Sequence, residues 1–445
     1  MATNLLTQDK AAAAIVSFAF SGVLGSPAGK GVGYALMGTT PDYFTWSVAL
    51  EEFEGPPVPL DRYSIKIDRR SKEISPPVPI VLSEQNLSEA IQSATGQHLS
   101  AWKRFTDGAL SISYKVTVKE STDSIYIVQL RHHGNVASMD SLMSYIARTV
   151  GPTLLPVPPV YPIPHEKQRQ EKTGMGRQIT QLIPGVMCSS VYPNLSHEQK
   201  ISLLPKVARA FQACWDIPLP EPRLIGEVVA DLVNGELNLR IDPDRHYSLG
   251  GPFSSVREYL RAYINASLVA LEKQQGIDDY KALYLTRIRN FVSNSLHNIP
   301  HTVEQTPVVL THSDMGPHNI IVSSENNTEI KAIIDWEFIA SAPFGSLYHI
   351  LEMFFRKDAP IGFGQEYDRS DELHQSFWGA IPKWKLVYES ESTQVFLEWM
   401  KFGLFLKPEW RPDNLSASEA ERYWQENVRV VETMLQKYGE SRYTS

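Results

Sequence analysis

The stretch VVLTHSDMGPHNIIVSSENNTEIKAIIDW, residues 308–336, holds the features that decide the fold of this chain. Two short apolar segments, Val308–Leu310 and Ile320–Val322, flank a polar loop, and their composition predicts strands. A turn rich in Ser and Asn then leads to a third predicted strand, Glu329–Ile334. The sequence therefore predicts strand, loop, strand, turn and strand, with Asp335 at the end of the last strand.

The polar loop carries His312, Asp314 and Asn319, and the hairpin after it delivers Asp335. This spacing would place two oxygen ligands, Asn319 and Asp335, and the carboxylate of Asp314 around one small volume. Such a set suits phosphoryl transfer, in which an Asn and an Asp hold Mg2+ and a further Asp orients the attacking hydroxyl. The alternative is a polar turn in which Asp314 and Asn319 only form the turn. The three-strand context and the terminal Asp-Trp favour the chemical interpretation.

Length and composition place the chain among ordinary globular proteins. Its 445 residues can bury a large core and predict two or three units. A net charge of −8 argues against binding of nucleic acid or of an anionic membrane. Cys188 and Cys214 are the only cysteines, so neither a disulfide framework nor a cysteine metal site is indicated. The oligomeric state stays open.

The segment Ala11–Gly25 is apolar enough to resemble the core of a signal peptide. Two features oppose that interpretation: Lys10 is offset by Asp9, and Pro27 occupies the small-residue site at which cleavage would occur. The run is also short for a bilayer span. We therefore predict a packed local segment in a cytoplasmic protein that does not bind a membrane.

Residues 1–85 are predicted to form an irregular, β-leaning extension. Tyr43–Leu50 is aromatic and strand-like, and Tyr63–Ile67 with Lys72–Ile74 predicts a hairpin. Proline clusters on both sides of this hairpin act as rigid spacers. The extension is either a docked accessory layer, which we favour, or an arm that binds a partner.

Residues 86–185 are predicted to form a small sheet with flanking helices. Leu82–Thr95 and Val136–Thr149 have helical spacing of apolar residues. Three strands are predicted between them: Arg104–Thr106, Ser113–Val118 and Ser124–Arg131. A strand at Arg177–Ile183 leads to a sharp turn and into a helical remainder.

Two places in this sheet are candidate phosphate contacts. A turn with Gly108, followed by Ser111, can cover phosphates with N–H groups and hydroxyls, although an ordinary β-turn is an equal alternative. Side chains alternate along a strand, so Gln129 and Arg131 share one face. If that face looks into a cleft, Arg131 is the candidate cation for a nucleotide phosphate. The alternative is a solvated arginine at a strand end.

The chain after Gly185 is predicted to be mostly helical. Ser196 with Gln199 forms a capping-box pattern, and Ser255 begins a second helix. Tryptophans cluster in the last part of the chain: Trp378, Trp384, Trp399, Trp410 and Trp424. With the acids mixed among them they suit a cationic or ring-bearing ligand, or they pack as core.

The sequence resembles the aminoglycoside phosphotransferase and choline-kinase-like family, in particular its large fungal branch. The resemblance is carried by LTHSDMGPHNIIV, residues 310–322, and by IKAIIDWEF, residues 330–338. QLIPG, residues 181–185, and IVQLRHHG, residues 127–134, support it. It covers about residues 95–350 and fades toward both termini.

The resemblance implies an α+β, two-lobed protein-kinase-like fold. A small β-rich N-lobe would span residues 86–185, and a larger, mainly helical C-lobe residues 186–445. ATP would bind with Mg2+ bridging its phosphates. Asp314 would be the catalytic base, and Asn319 and Asp335 would be the Mg2+ ligands.

The resemblance also assigns further roles. His312 would hold the loop backbone in place. The segment from Gln181 to Ile183 would be the hinge whose backbone pairs with adenine. The acceptor would be a hydroxyl group of a small molecule, which the residues do not identify.

The chain departs from the family pattern at two positions. Gln129 stands where the family has a strand Lys or Arg, although Arg131 on the same face can take its place. Asn135 stands where the family has a helix Glu, with Asp140 one turn later. These departures indicate either a relocated ion pair or a site that no longer needs one.

Three functions therefore remain. The leading one is an ATP- and Mg-dependent kinase acting on a small molecule. The alternatives are a catalytically impaired kinase-like binding or scaffold protein, and a different reaction that uses an intact Asp314.

Overall fold

The computed structural model describes residues 30–39, 43–52, 62–68, 78–79, 81–105, 111–121, 123–131, 135–234, 236–244, 249–358, 363–408 and 424–439. The chain divides into two compact units. The first is formed by residues 1–140 and 159–182, and the second by residues 141–158 and 183–445. The segments Ala11–Gly25 and Lys72–Ile74, and Gly108, lie outside the described residues.

The first unit contains two four-stranded antiparallel sheets, each paired in chain order. The first sheet consists of β1 (Lys30–Thr39), β2 (Tyr43–Glu52), β3 (Arg62–Asp68) and β4 (Val78–Pro79). The predicted strand at Tyr43–Leu50 lies within β2.

The second sheet is accompanied by three helices. In chain order these elements are α1 (Glu84–Thr95), β5 (Leu99–Arg104), β6 (Ile112–Val118), β7 (Ile125–Arg131), α2 (Val136–Thr149), α3 (Glu166–Thr173) and β8 (Gly176–Gln181). The two predicted helices and the strands predicted at Ser113–Val118, Ser124–Arg131 and Arg177–Ile183 are present with small changes of boundary. The strand predicted at Arg104–Thr106 shares only Arg104 with β5, and Thr106 lies outside the described residues. Helix α2 crosses the division between the two units.

The core of the second sheet follows from the alternation of its side chains. Tyr114, Val116 and Val128 point to one face and are buried in the same core cluster as Leu87 and Ile91 of α1. Helix α1 begins at Ser83, whose hydroxyl accepts a hydrogen bond from the Asn86 N–H at 3.1 Å. The opposite face of the sheet is more polar, and it is the face that carries Gln129 and Arg131.

The second unit is larger and mainly helical. Its helices are α4 (Cys188–Val191), α5 (His197–Trp215), α6 (Val256–Lys273), α7 (Asp278–Ser295), α8 (Tyr348–Glu352), α9 (Ser370–Gly379), α10 (Pro382–Tyr388), α11 (Glu391–Phe405) and α12 (Gln425–Gly439). Its strands are β9 (Val186–Met187), β10 (Gly226–Val233), β11 (Glu236–Asp242), β12 (Val308–His312), β13 (Ile320–Val322), β14 (Ile330–Ile333), β15 (Ile339–Pro343), β16 (Arg356–Asp358) and β17 (Phe363–Glu366).

Local signals start the helices where the sequence predicts. Helix α5 begins with a complete capping box, in which the Ser196 hydroxyl accepts from the Gln199 N–H and the Gln199 side chain accepts from the Ser196 N–H. The Ser255 hydroxyl accepts from the Glu258 N–H in the same way at the start of α6. The predicted α+β class, with a small β-rich part and a larger, mainly helical part, is confirmed.

The described tryptophans of the last part of the chain pack as core. Trp378 and Trp384 are buried, and Trp399 is fully buried in the cluster formed by α6, α7, α11 and α12. Trp424 packs against the same cluster, and Trp410 lies outside the described residues.

One sheet of the second unit is absent from the sequence prediction. Strands β11, β10, β15 and β12 form it in that spatial order, whereas β13 belongs to a separate sheet with β14 and β9. The hairpin of β10 and β11 turns at Asn234, which precedes Gly235 in the sequence and has a φ of 54°. The loop after His312 therefore passes from one sheet to another.

Candidate functional site

The hairpin of β13 and β14 brings Asn319 close to Asp335. Ile320 pairs with Ile333, and just beyond this pair the Ile334 N–H donates to the Asn319 carbonyl at 2.9 Å. Asn319 therefore lies beside the residue that precedes Asp335. The proximity that the spacing predicts thus follows from strand register.

His312 ties the two ends of this region together. Its ring is fully buried, with Nε2 2.9 Å from the Ile334 carbonyl and Nδ1 3.2 Å from the Asp314 N–H that donates to it. Since a carbonyl can only accept, Nε2 carries the hydrogen. Burial lowers the pKa of His312, which favours this neutral form. Its ring packs edge-on against the ring of Trp336, with 4.8 Å between the ring centroids. These contacts are those of a residue that holds the backbone.

Asp314 is held from both sides by the same loop. His318 Nε2 lies 2.8 Å from Oδ1, and Asn319 Nδ2 donates to Oδ2 at 2.9 Å. Partial burial raises the pKa of Asp314, but the hydrogen bond and charge of His318, with smaller contributions from His312 and Asn319, bring that pKa below its ordinary value. Asp314 is therefore ionised at neutral pH, and the same contact raises the pKa of His318.

Asn319 and Asp335 carry the types of oxygen donor that a magnesium ion accepts. Asn319 uses its amide nitrogen to bond Asp314, both at Oδ2 and at the main-chain carbonyl, so its carbonyl oxygen is the atom that can face a metal. A carboxylate and an amide oxygen are ligands that Mg2+ accepts, with water and phosphate oxygens completing the shell. Within the described ranges, no group of three or more His, Cys, Asp or Glu side chains forms a metal site. Asp335 has a φ of 67°, in the left-handed region.

The connector from Gln181 to Gly185 contains the division between the two units, which falls after Leu182. Within the first unit, the N–H groups of Gln181 and Leu182 donate to the carbonyls of Pro159 and Ile125, both at 2.9 Å. Ile183 begins the second unit. A Cβ on Gly185 would lie 2.4 Å from the Val322 carbonyl oxygen, so this position requires glycine where the chain passes close to β13.

Of the candidate phosphate contacts of the first unit, the described ones, Ser111, Gln129 and Arg131, lie close together. Gln129 Nε2 is 3.3 Å from the hydroxyls of Ser111 and Ser113. Arg131 is 1% exposed, so the alternative of a solvated arginine at a strand end is wrong. Its guanidinium donates to Gln129 and Gln178 instead.

Three residues of these regions were not predicted as functional. His318 contacts Asp314, and the spacing of four residues within one loop was a usable signal. His349 of α8 lies within electrostatic range of both Asp314 and His318. Gln178 joins Arg131 to Asp140, and nothing local in the sequence marks it.

Comparison with protein families shows the family to which the chain belongs. The model of the phosphotransferase enzyme family matches residues 101–380, which is more than half of the sequence. The chain belongs to this family. The match includes the loop of Asp314 and Asn319 and the strand of Gln129 and Arg131, and with the two units described above it confirms the predicted kinase-like fold.

Several solved structures are similar to the chain at low sequence identity. A thermostable mutant of the aminoglycoside phosphotransferase APH(4)-Ia, in complex with AMP-PNP and hygromycin B, is 14% identical; the match covers 78% of this chain and 98% of that chain, with a TM-score of 0.45. Ethanolamine kinase of Plasmodium vivax is 13% identical, with 80% and 92% covered and a TM-score of 0.44. A search of curated proteins finds no match. Within the described residues, the helices are too short or too polar to span a membrane.

Proposed function

We propose that the chain is an ATP- and Mg-dependent kinase that transfers a phosphoryl group to a hydroxyl of a small molecule. Membership of the phosphotransferase enzyme family supports the class of reaction. The observation that carries the proposal is the loop geometry, in which an ionised Asp314 lies between His318 and Asn319, and Asn319 lies beside the turn to Asp335. The sequence resemblance supports the fungal branch of the family. The weak signal-peptide features of the segment Ala11–Gly25 and the proposed use of ATP support a cytoplasmic protein.

Asp314 would orient the acceptor hydroxyl and take its proton. Because its pKa lies below the ordinary value, the carboxylate is always available as a hydrogen-bond acceptor at neutral pH, but it is a weak base. Phosphoryl transfer passes through a loose transition state, so positioning of the hydroxyl matters more than early proton removal. The proton would pass to Asp314 late, when bond formation to phosphorus has made the acceptor oxygen acidic.

The remaining roles follow from the residues that can meet a nucleotide. Asn319 and Asp335 would hold Mg2+, which supplies positive charge to the phosphates. Gly108, Ser111 and Gln129 would form the part that meets the phosphates, with the buried Arg131 behind Gln129. The backbone from Gln181 to Ile183 would pair with adenine.

The test is turnover of Mg-ATP by the purified chain across a panel of small molecules that carry hydroxyl groups. We expect ATP consumption that depends on one class of acceptor and that is lost in Asp314→Ala. Equal activity in the two proteins would show that Asp314 is not the base. Identifying the compound that copurifies with the chain, by mass spectrometry, would narrow the panel.

A catalytically impaired binding or scaffold protein is the second candidate. The observation that favours it is the neutral Gln129, together with an Arg131 whose guanidinium is buried and bonded within the protein. Thermal unfolding with and without millimolar Mg-ATP separates the two functions, since a bound nucleotide must raise the unfolding temperature. An unchanged temperature would favour the scaffold.

A further inference from the structure

A chain of hydrogen bonds links Asp140, Gln178, Arg131 and Gln129 in the first unit. Gln178 donates to Asp140 Oδ1 from Nε2 at 2.9 Å and accepts from Arg131 Nε at 2.9 Å. Arg131 Nη2 donates to Gln129 Oε1 at 2.8 Å. Each amide in this chain therefore has its oxygen toward Arg131.

The direction of both amides is fixed by the chemistry of their neighbours. A guanidinium has only donors, so the atom of Gln129 or Gln178 that meets it must be the carbonyl oxygen. The amide nitrogen of Gln178 is then directed to Asp140, which accepts. The amide nitrogen of Gln129 is directed to Ser111 and Ser113, at the beginning of β6.

The sheet register places these side chains in one row. Ser113 of β6 pairs with Gln129 of β7, and Gln129 pairs with Gln178 of β8, so the three side chains lie next to one another on one face. Arg131 lies two residues beyond Gln129 on the same face. Its side chain can therefore reach back between the two glutamines.

Gln129 is the most exposed member of the row, and the other three are buried. Gln129 is half-buried, whereas Arg131, Gln178 and Asp140 are 1%, 2% and 5% exposed. A buried guanidinium is costly unless an acidic group compensates it. Among the described residues, Asp140 is joined to Arg131 through Gln178, whereas the buried acid Glu166 is bonded by Arg177 at 2.9 Å.

We propose that Gln129, together with the Ser111 and Ser113 hydroxyls beside its amide nitrogen, donates to the nucleotide phosphates in a direction that is set by Arg131. Asp140 and Gln178 are then positioning residues that hold Arg131 in place. This inference rests on the proposed nucleotide binding. It explains the two departures from the family pattern together. The cation is Arg131, two residues further along the strand, and the carboxylate is Asp140 on α2. The neutral amide of Gln129 lies between Arg131 and the phosphates and is polarised by the guanidinium.

The arrangement predicts that a lysine at position 129 is harmful. Its ammonium would lie beside the guanidinium of Arg131 and would remove the acceptor of Arg131 Nη2. If Gln129 were only a defective lysine, the same substitution would improve binding of ATP. Gln129→Lys therefore separates the two explanations by the sign of its effect.

The experiment measures the Kd of Mg-ATP and of adenosine by calorimetry for the whole chain and its variants. The Kd of adenosine divided by the Kd of Mg-ATP measures how much the phosphates and the metal add to the affinity. We expect the ratio of the adenosine Kd to the Mg-ATP Kd to fall by about tenfold or more in Gln129→Lys, as for loss of a hydrogen bond to a charged group. We expect it to fall also in Asp140→Asn, which keeps an acceptor for Gln178 but removes the negative charge. Glu166→Gln is the matched control, because it removes another buried acid of the same unit, and we expect its ratio to stay at the wild-type value.

The outcomes distinguish this inference from the proposed function. A wild-type chain that binds no Mg-ATP would overturn both. If the wild type binds Mg-ATP, two outcomes would overturn the positioning role alone. One is a higher Mg-ATP affinity in Gln129→Lys, and the other is an unchanged ratio in Asp140→Asn. If either variant does not fold, Gln129→Ala, which leaves every charge in place, is expected to lose the phosphate contribution in the same way.

Discussion

The loop around Asp314 and the strand around Arg131 both fix charged side chains, but they do so with contacts of very different range. Asp314 is held by His318 and Asn319, which are 4 and 5 residues away along the chain. Arg131 is held by Gln129 on its own strand and by Gln178 on the neighbouring strand, 47 residues away. The loop contacts form when one turn closes, whereas the contacts of Arg131 need an assembled sheet. Changes in the loop should therefore affect catalysis alone, and changes around Arg131 should affect folding as well.

The largest effect is expected from Asp314→Asn, which keeps the shape of the side chain and removes its charge. We expect kcat to fall by about 10³-fold, as for loss of a general base. The Kd of Mg-ATP and the unfolding temperature should stay close to the wild-type values, because the hydrogen bonds of the loop are local. A kcat within tenfold of wild type would contradict the assignment of Asp314.

Arg131→Met tests the other side of the comparison. Removing the cation leaves Asp140 buried without its compensating charge, and we expect a loss of about 3–5 kcal/mol in the free energy of unfolding at pH 8. Chemical denaturation measures it. The control is Arg240→Met, which breaks the exposed ion pair with Asp242 and should cost less than about 1 kcal/mol. Equal losses in the two variants would show that burial of Arg131 has no special energetic role.

Asp140→Asn should change the pH dependence of stability. Burial raises the pKa of Asp140 to about 7, against the opposing effects of the Gln178 hydrogen bond and the charge of Arg131, while the charge of Glu166 adds to the increase. The folded state then binds a proton that the unfolded state has lost, so stability falls as the pH rises from about 4 to 7 and is constant above.

Asparagine removes this dependence. The free energy of unfolding of wild type should fall from pH 5 to pH 8, whereas that of Asp140→Asn should not. The difference between the two proteins should therefore shift by about 2–4 kcal/mol in favour of the variant over this range, from a pKa difference of about 3 units. Denaturant unfolding at the two pH values measures the shift. A parallel pH dependence in the two proteins would mean that Asp140 is not the titrating group.

The smallest effect is expected at His318. His318→Gln keeps a donor that can reach Asp314, whereas His318→Leu removes it. We expect kcat to stay within about threefold of wild type in the first variant and to fall about tenfold in the second, because a misplaced carboxylate orients the hydroxyl poorly. Equal values in the two variants would show that the hydrogen bond is not what matters at this position.

The sequence predicts the Asp314 region well because each of its contacts is local. Strand composition, the turn residues and the order of His312, Asp314 and Asn319 all lie within one segment, and the observed hairpin follows from them. The helix starts at Ser83 and Ser196 were predictable for the same reason.

The network around Arg131 was only partly predictable. Alternation along β7 places Gln129 and Arg131 on one face, but Gln178 reaches them through the register of β7 with β8, which no local pattern specifies. The hairpin of β10 and β11 is a different case: Asn234 and Gly235 form a strong local turn signal between two strand-like segments, although the surrounding region is predicted as mostly helical.

Asp335 combines a side chain proposed to bind a metal with a main chain in a conformation that few non-glycine residues adopt. Glycine at this position would remove the carboxylate and relieve the backbone, whereas alanine would remove the carboxylate and keep the strain. The two substitutions therefore divide the contribution of residue 335 into a chemical part and a conformational part. The left-handed conformation of Asp335 lowers the thermodynamic stability of the fold to some extent, and it fixes the direction in which the chain leaves the strand.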